Sequence, residues 1–244
     1  DVYKAIEESC DTYFYDAAYR LGITKISDFM ARFGYGDLSG IDIHEETTAI
    51  LPSKEWKEGR FKESWWRGDT ISVGIGQGYW TATPIQIANA TNILVNRGIN
   101  HPPHLVQVIK KDNDITQINN EEKPPVILKD PRHWQVSLDA MHNTVQKISG
   151  TAHKAFKGTN YDSAGKTGTA QVVSIAQGER YDAESLKERQ RDNTIYVGFA
   201  PYSDPKIVVS VVLENNHGGI QIARQLMDYY FAANPVNLAR NETP

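Results

Sequence analysis

Two runs rich in β-branched and aromatic residues, 194–200 and 206–214, are separated only by Pro201-Tyr202-Ser203-Asp204-Pro205. So short a connection can only bring two strands together antiparallel, because parallel neighbours need a crossover of about a dozen residues or more. A third strand-like run, 164–173, precedes this hairpin, and a helix with Ala223, Leu226, Met227 and Tyr230 on one face follows it. The mostly polar residues 174–193 between the first two strands are numerous enough to form a mobile flap over whatever lies beside the first strand.

Upstream the hydrophobic period is helical. Phe14, Ala17, Ala18 and Leu21 recur at i, i+3, i+4 and i+7, with Gly22 placed to end the run, so a helix is expected from about Thr12 with Asp11 as its N-cap. A second helix is expected from about Thr24 to Phe33, after which Gly34, Gly36 and Gly40 break the pattern. The Trp-rich residues 51–68 read as an irregular loop. Thr83-Pro84-Ile85-Gln86 carries an N-cap, a proline at the first helical position and a glutamine to complete a capping box, starting a helix that runs to about Arg97. Residues 104–110 and 115–118 flank Asp112-Asn113 as a small hairpin. Asp130-Pro131 opens a further helix on which Trp134, Leu138, Met141, Val145 and Ile148 form one stripe. Helices first and an antiparallel meander later make the fold class α+β, in one domain.

Several functions are excluded by charge and composition. Lys+Arg 26 against Asp+Glu 30 leaves a net charge of −4, so there is no overall basic field for nucleic acid or an anionic membrane. The single cysteine, Cys10, removes any intrachain disulfide and any CxxC motif. It reads as a small buried hydrophobe, with a metal-ligand role open only if the other ligands come from outside this sequence. The longest strongly apolar run, 207–213, falls far short of the roughly 20 residues that cross a bilayer. The sequence opens at Asp1 directly in helix-like residues, as a segment of a longer protein would.

Common catalytic signatures fail on spacing. The zinc pattern HExxH starts at His44-Glu45 but meets Thr48 where its second histidine belongs. His101 and His104 flank two prolines with no third ligand nearby. Gly74, Gly76 and Gly78 resemble a dinucleotide loop until Tyr79 occupies the place of the last glycine in GxGxxG. Neither a GxxxxGK[ST] phosphate loop nor a GxSxG nucleophile elbow is present.

What remains is Lys166-Thr167-Gly168-Thr169-Ala170-Gln171 at the start of a strand, Ser9-Cys10-Asp11 at the entry to a helix, and residues 72–79 (Ser-Val-Gly-Ile-Gly-Gln-Gly-Tyr) followed by Thr83-Pro84. Taken singly, each has an ordinary structural explanation. In this order and spacing they resemble the class B penicillin-binding transpeptidases. Leu51-Pro52-Ser53 with Glu55-Trp56-Lys57, then Gly68-Asp69-Thr70-Ile71, resemble most the cell-elongation type of Gram-negative bacteria. The likeness runs from about Val2 to Tyr230.

That resemblance implies a five-stranded antiparallel sheet with flanking helices, of which this chain would carry the three C-terminal strands and the helical side. It also implies a nucleophilic serine in an SxxK motif at a helix N-terminus, where the lysine one turn on accepts the serine's proton. Only Ser163–Lys166 and Ser203–Lys206 have that spacing here. The first lies in a strand, where residues three apart face opposite ways, and the second contains Pro205 in a turn. The nucleophile is therefore expected upstream of Asp1, and this segment alone is expected to be inactive.

By the same resemblance, Ser9 relays a proton between the absent lysine and the leaving amine. Asp11 holds that lysine and binds the donor peptide, at a position where the family more often has Asn. Lys166, Thr167 and Thr169 receive the substrate's terminal carboxylate, and Gly168 lets the peptide lie close. The Thr169 backbone N–H serves as one of two oxyanion donors. The stem peptide adds as a strand along the free edge beside Lys166, while Gly76-Gln77-Gly78 is structural support.

The implied reaction is D,D-transpeptidation of peptidoglycan stem peptides ending in D-Ala-D-Ala, which β-lactams block as mimics of the donor. No cofactor and no metal are called for. The implied setting is a periplasmic domain anchored in the inner membrane, working with a membrane glycosyltransferase and elongation-complex proteins, with no nucleic acid. The rival readings are a D,D-carboxypeptidase or β-lactamase-type hydrolase and a non-catalytic penicillin-sensing or scaffold domain.

Overall fold

The structure, a computed structural model, describes residues 1–112, 114–118, 121–172 and 186–235. They fall into two compact units: Asp1–Ala5 with Cys10–Leu138, and Ile6–Ser9 with the described residues from Asp139 onward. Helix α1, Val2–Glu7, contributes to both.

The first unit is helical. It holds α2 (Asp11–Leu21), α3 (Ile23–Ala31), α4 (Lys54–Phe61), α5 (Arg67–Val73) and α6 (Pro84–Val95), then the exposed hairpin β1 (Val108–Lys111) and β2 (Asp114–Gln117). Its core joins Phe33, Ala90, Ile93, Val126 and Trp134. The capping box of α6 forms as the sequence predicts: Thr83 Oγ1 accepts the Gln86 N–H at 3.2 Å, and Gln86 Oε1 accepts the Thr83 N–H at 3.0 Å. Gln86 is itself buried, its amide donating to the carbonyls of Asp37 and Thr48 at 2.9 Å each, which ties the glycine-rich stretch to α6. The β1–β2 hairpin pairs antiparallel with Lys111 opposite Asp114; Asn113, the second residue of its expected turn, lies outside the described residues.

Helix α7, Arg132–Gln146, leads into the second unit, which continues with α8 (His153–Phe156), β3 (Ala164–Ala170), β4 (Asn193–Ala200), β5 (Ile207–Leu213) and α9 (Gly219–Ala233). The sheet order is β3-β4-β5, antiparallel throughout, with the expected tight connection between β4 and β5. These are the three strands the resemblance assigns to this chain. Val145, Phe156, Tyr161, Tyr196, Met227 and Phe231 form the core between the sheet and its helices. Burying a side chain the size of Met227 completely contributes about 1.5–3 kcal/mol. Tyr196 fits because its neighbours lack side chains: a Cβ on Gly165 would lie 2.1 Å from the Tyr196 hydroxyl, and one on Gly198 2.7 Å from it. Among the described residues no helix is long and apolar enough to cross a membrane.

Some sequence expectations are corrected. Residues 51–68 are not irregular throughout. Ser53 accepts the Trp56 N–H at 3.1 Å and starts α4, and Lys62 ends it with a left-handed φ of 61°. Asp69 accepts the Trp66 N–H at 3.0 Å and starts α5. Asp11 is the first residue of α2 rather than its N-cap, a position held by Cys10 in extended conformation. Ile148 lies beyond the end of α7 and is 90% exposed, so the apolar stripe stops at Val145. On α9 the buried positions are Ala223, Met227 and Phe231, whereas Leu226 is exposed, because the face packed on the sheet follows i, i+4, i+8. Of the expected flap 174–193, residues 174–185 lie outside the described residues, and a 3₁₀ turn, Glu188–Gln190, precedes β4.

Candidate active site

β3 forms one edge of the three-stranded sheet and places Lys166 opposite Val197. The Lys166 ammonium donates to Ser9 Oγ at 2.9 Å and to the Thr167 carbonyl at 2.7 Å. Ser9 comes from the turn that ends α1, where its N–H donates to the Ile6 carbonyl at 3.3 Å. Its φ is +57°, a left-handed conformation unusual for a residue with a Cβ. Such conformations cost roughly 1–3 kcal/mol and persist where surrounding contacts impose them. Both residues belong to the second unit.

A hydroxyl that accepts from an ammonium has its own hydrogen left to donate, so Ser9 is poised as a donor beside a fixed positive charge. The next residue on β3, Thr167, shares a hydrogen bond with Thr151 Oγ1 at 2.7 Å. Thr167 and Thr169 alternate with Lys166 and Gly168 across the strand. Thr169 is exposed and Gly168 half-buried; a Cβ on Gly168 would lie 3.3 Å from Ile195 Cβ. Ser9, Lys166, Thr167, Gly168 and Thr169 are thus gathered on or against one strand. Thr151 joins them without any sequence signal beyond its place in the loop after α7.

Asp11 belongs to the first unit, exposed in the first turn of α2, where a negative charge complements the helix dipole. Among the described residues no hydrogen bond or ion pair engages its carboxylate. Cys10 is exposed, not buried; its thiol shares a hydrogen bond with Thr12 Oγ1 at 3.3 Å. That bond, with a further one from the Tyr13 backbone, holds the thiol below its ordinary pKa. Among the described residues no group of three or more His, Cys, Asp or Glu side chains could hold a metal ion.

The alternative SxxK spacings have unsuitable surroundings. Ser163 is fully buried with its hydroxyl unpaired, and Lys206 pairs with Asp204 at 2.7 Å. In the glycine motif, Gly74 permits close helix packing, since a Cβ there would lie 2.3 Å from Ala18 Cβ. Gly76 and Gly78 take φ of +75° and +71°, which suits glycine. A buried ion pair supports the same region: Lys57 Nζ lies 2.7 Å from Asp69 Oδ2, and that bond raises the lysine's pKa.

A family model described as the penicillin binding protein transpeptidase domain matches residues 1–231. The peptidoglycan D,D-transpeptidase MrdA of Haemophilus influenzae is 46% identical over 239 residues, covering 94% of this chain and 36% of that protein. MrdA of Escherichia coli K12 is 43% identical over 232 residues, covering 94% of this chain and 37% of that protein. The chain therefore spans little more than a third of these relatives. Among solved structures, Pseudomonas aeruginosa PBP2 in complex with WCK 5153 superposes with a TM-score of 0.80 at 36% identity, over 95% of this chain and 49% of that one. Helicobacter pylori PBP2, solved with MreC, gives 0.81 at 28% identity, over 96% of this chain and 40% of that one.

Proposed function

This chain belongs to the penicillin-binding protein transpeptidase domain family, and from that premise we propose that it is the C-terminal portion of a peptidoglycan D,D-transpeptidase domain of the cell-elongation type. The observation that carries the reading is the 2.9 Å hydrogen bond between Lys166 and Ser9, which joins residues 157 apart in sequence. It brings together the two motifs that the chemistry requires side by side.

In this reading a serine of an upstream SxxK motif adds to the carbonyl carbon between the two terminal D-alanines of a donor stem. The C–N bond breaks, and D-Ala leaves as an amine with a proton that Ser9 passes from the SxxK lysine. An amine of a neighbouring stem then attacks the ester, forms the cross-link and returns a hydrogen to the serine. Lys166 holds the Ser9 oxygen and supplies positive charge to the donor's carboxylate, assisted by the hydroxyls of Thr167 and Thr169. Asp11 engages the SxxK lysine. The open edge of β3 receives the extended peptide as an added strand. The protein works as a periplasmic domain anchored in the inner membrane, with a membrane glycosyltransferase and elongation-complex partners; the Helicobacter pylori relative solved with MreC supports the last of these.

The test is labelling with a fluorescent penicillin. The full-length protein is expected to label covalently, Lys166→Ala to label about 10²-fold more slowly or worse, and residues 1–244 alone not at all. Product analysis with a stem-peptide donor and an amine acceptor is expected to give the amide rather than the hydrolysed acid. Labelling of the isolated segment, or indifference to Lys166→Ala, would overturn the assignment.

A further inference from the structure

Two residues before Ser9, at the end of α1, lies a carboxylate that none of the roles above uses. Glu7 is 4% exposed, although a buried carboxylate is costly unless it is paired and hydrogen-bonded. Among the described residues its side-chain partners come from one short loop. Ser149 Oγ donates to Glu7 Oε1, and Lys147 Nζ lies 3.4 Å from Oε2. The Glu7 carbonyl accepts the Thr151 N–H at 3.3 Å. The loop is itself held against the end of α7: the Ala152 N–H donates to the Thr144 carbonyl at 3.1 Å, and a Cβ on Gly150 would lie 2.2 Å from that oxygen.

From this loop the connections return to the site. Thr151 Oγ1 bonds Thr167 Oγ1 at 2.7 Å, the Thr167 carbonyl accepts from Lys166 at 2.7 Å, and Lys166 donates to Ser9 Oγ at 2.9 Å. Two peptide bonds later the path is back at Glu7. The circuit is closed, and every member of it lies in the second unit.

We infer that Glu7 is a positioning residue for the transpeptidation step, clamping the turn that carries Ser9 onto the loop 147–151 so that the Ser9 hydroxyl is held at the Lys166 ammonium. Ser9 closes α1 in a left-handed turn, its N–H donating to the Ile6 carbonyl at 3.3 Å and the Cys10 N–H to the Ala5 carbonyl at 2.8 Å, and the buried carboxylate two residues before it ties that turn to the loop. Removing one partner of a buried charge leaves the rest uncompensated, so the turn would move out toward water and carry Ser9 away from Lys166. A displacement of about 1 Å at such a site can lower the rate about 10²-fold without contact with the substrate.

The inference rests on the transpeptidase reading, and one experiment separates the two. Acylation of the full-length protein by benzylpenicillin is followed in stopped flow and resolved into the constant for reversible binding and the rate constant for acyl transfer. For the folded fraction of Glu7→Gln, the acylation constant is expected to fall about tenfold or more while reversible binding stays within about twofold. Ser149→Ala is expected to change the same constant in the same direction by less, and it decides the matter if Glu7→Gln does not fold. Wild-type acylation constants in both folded variants, or a loss confined to reversible binding, would overturn the positioning role and leave the transpeptidase reading intact. A wild-type protein that is never acylated would remove both.

Discussion

Cys10 stands between the two residues of its motif with its thiol in solvent, bonded to Thr12 and approached by the Tyr13 backbone, and both contacts lower its pKa. A depressed value means more thiolate at any given pH, so the pH midpoint of iodoacetamide alkylation is expected to lie below that of an ordinary cysteine. Thr12→Val is expected to move that midpoint upward; an unchanged midpoint would deny the hydroxyl its role. Reading the sequence put Cys10 inside because free cysteines usually are buried. An N-cap position of a surface helix faces outward instead, and side-chain type alone does not reveal that. The pairing of Ser9 with Lys166 was legible because the motifs that carry them are defined by residue type in a fixed order. Glu7 was not, since a buried carboxylate looks in sequence like any exposed one.

At the scale of elements, the irregular stretch after α3 is tied down by acidic side chains. Asp42 accepts the N–H groups of Leu105 at 2.6 Å and Val106 at 2.8 Å, and these bonds hold it below the usual carboxylate range. A folded-state pKa below the unfolded one means that this tether is complete above the ordinary aspartate range and is lost as pH falls through the folded value. Hydrogen exchange at Leu105 and Val106, corrected for intrinsic rates, is expected to show protection at neutral pH that disappears in acid. Asp42→Asn is expected to weaken that protection and flatten its pH dependence; equal protection in the variant would count against the tether. Elements that announce themselves locally were legible: α6 by its capping box, β4 and β5 by the brevity of their connection. α4 and α5 were obscured by tryptophans and glycine that suggested a loop, although Ser53 and Asp69 supply ordinary helix starts.

For the whole molecule, the sheet of the second unit has two outer strands among the described residues, β3 and β5. The β5 sequence is Ile-Val-Val-Ser-Val-Val-Leu, an uncharged β-branched run of the kind that pairs with other chains when its edge is open. Residues 1–244 produced alone are expected to associate with rising concentration in light scattering. Val208→Lys or Val212→Lys, on the face opposite buried Val209 and Val211, is expected to return them to monomer. A wild-type segment that stays monomeric at high concentration would show that edge to be protected. The other edge strand has its lateral address set by a wedge. Gly165 faces Gly198, and the Tyr196 ring fills the space both leave. A slip of β3 by two residues, the smallest that preserves its faces, would bring Ser163 or Thr167 under that phenol, and either would drive a β-carbon into it. The ammonium of Lys166 therefore has one berth along the sheet, allotted by an aromatic ring that is itself shut away from solvent.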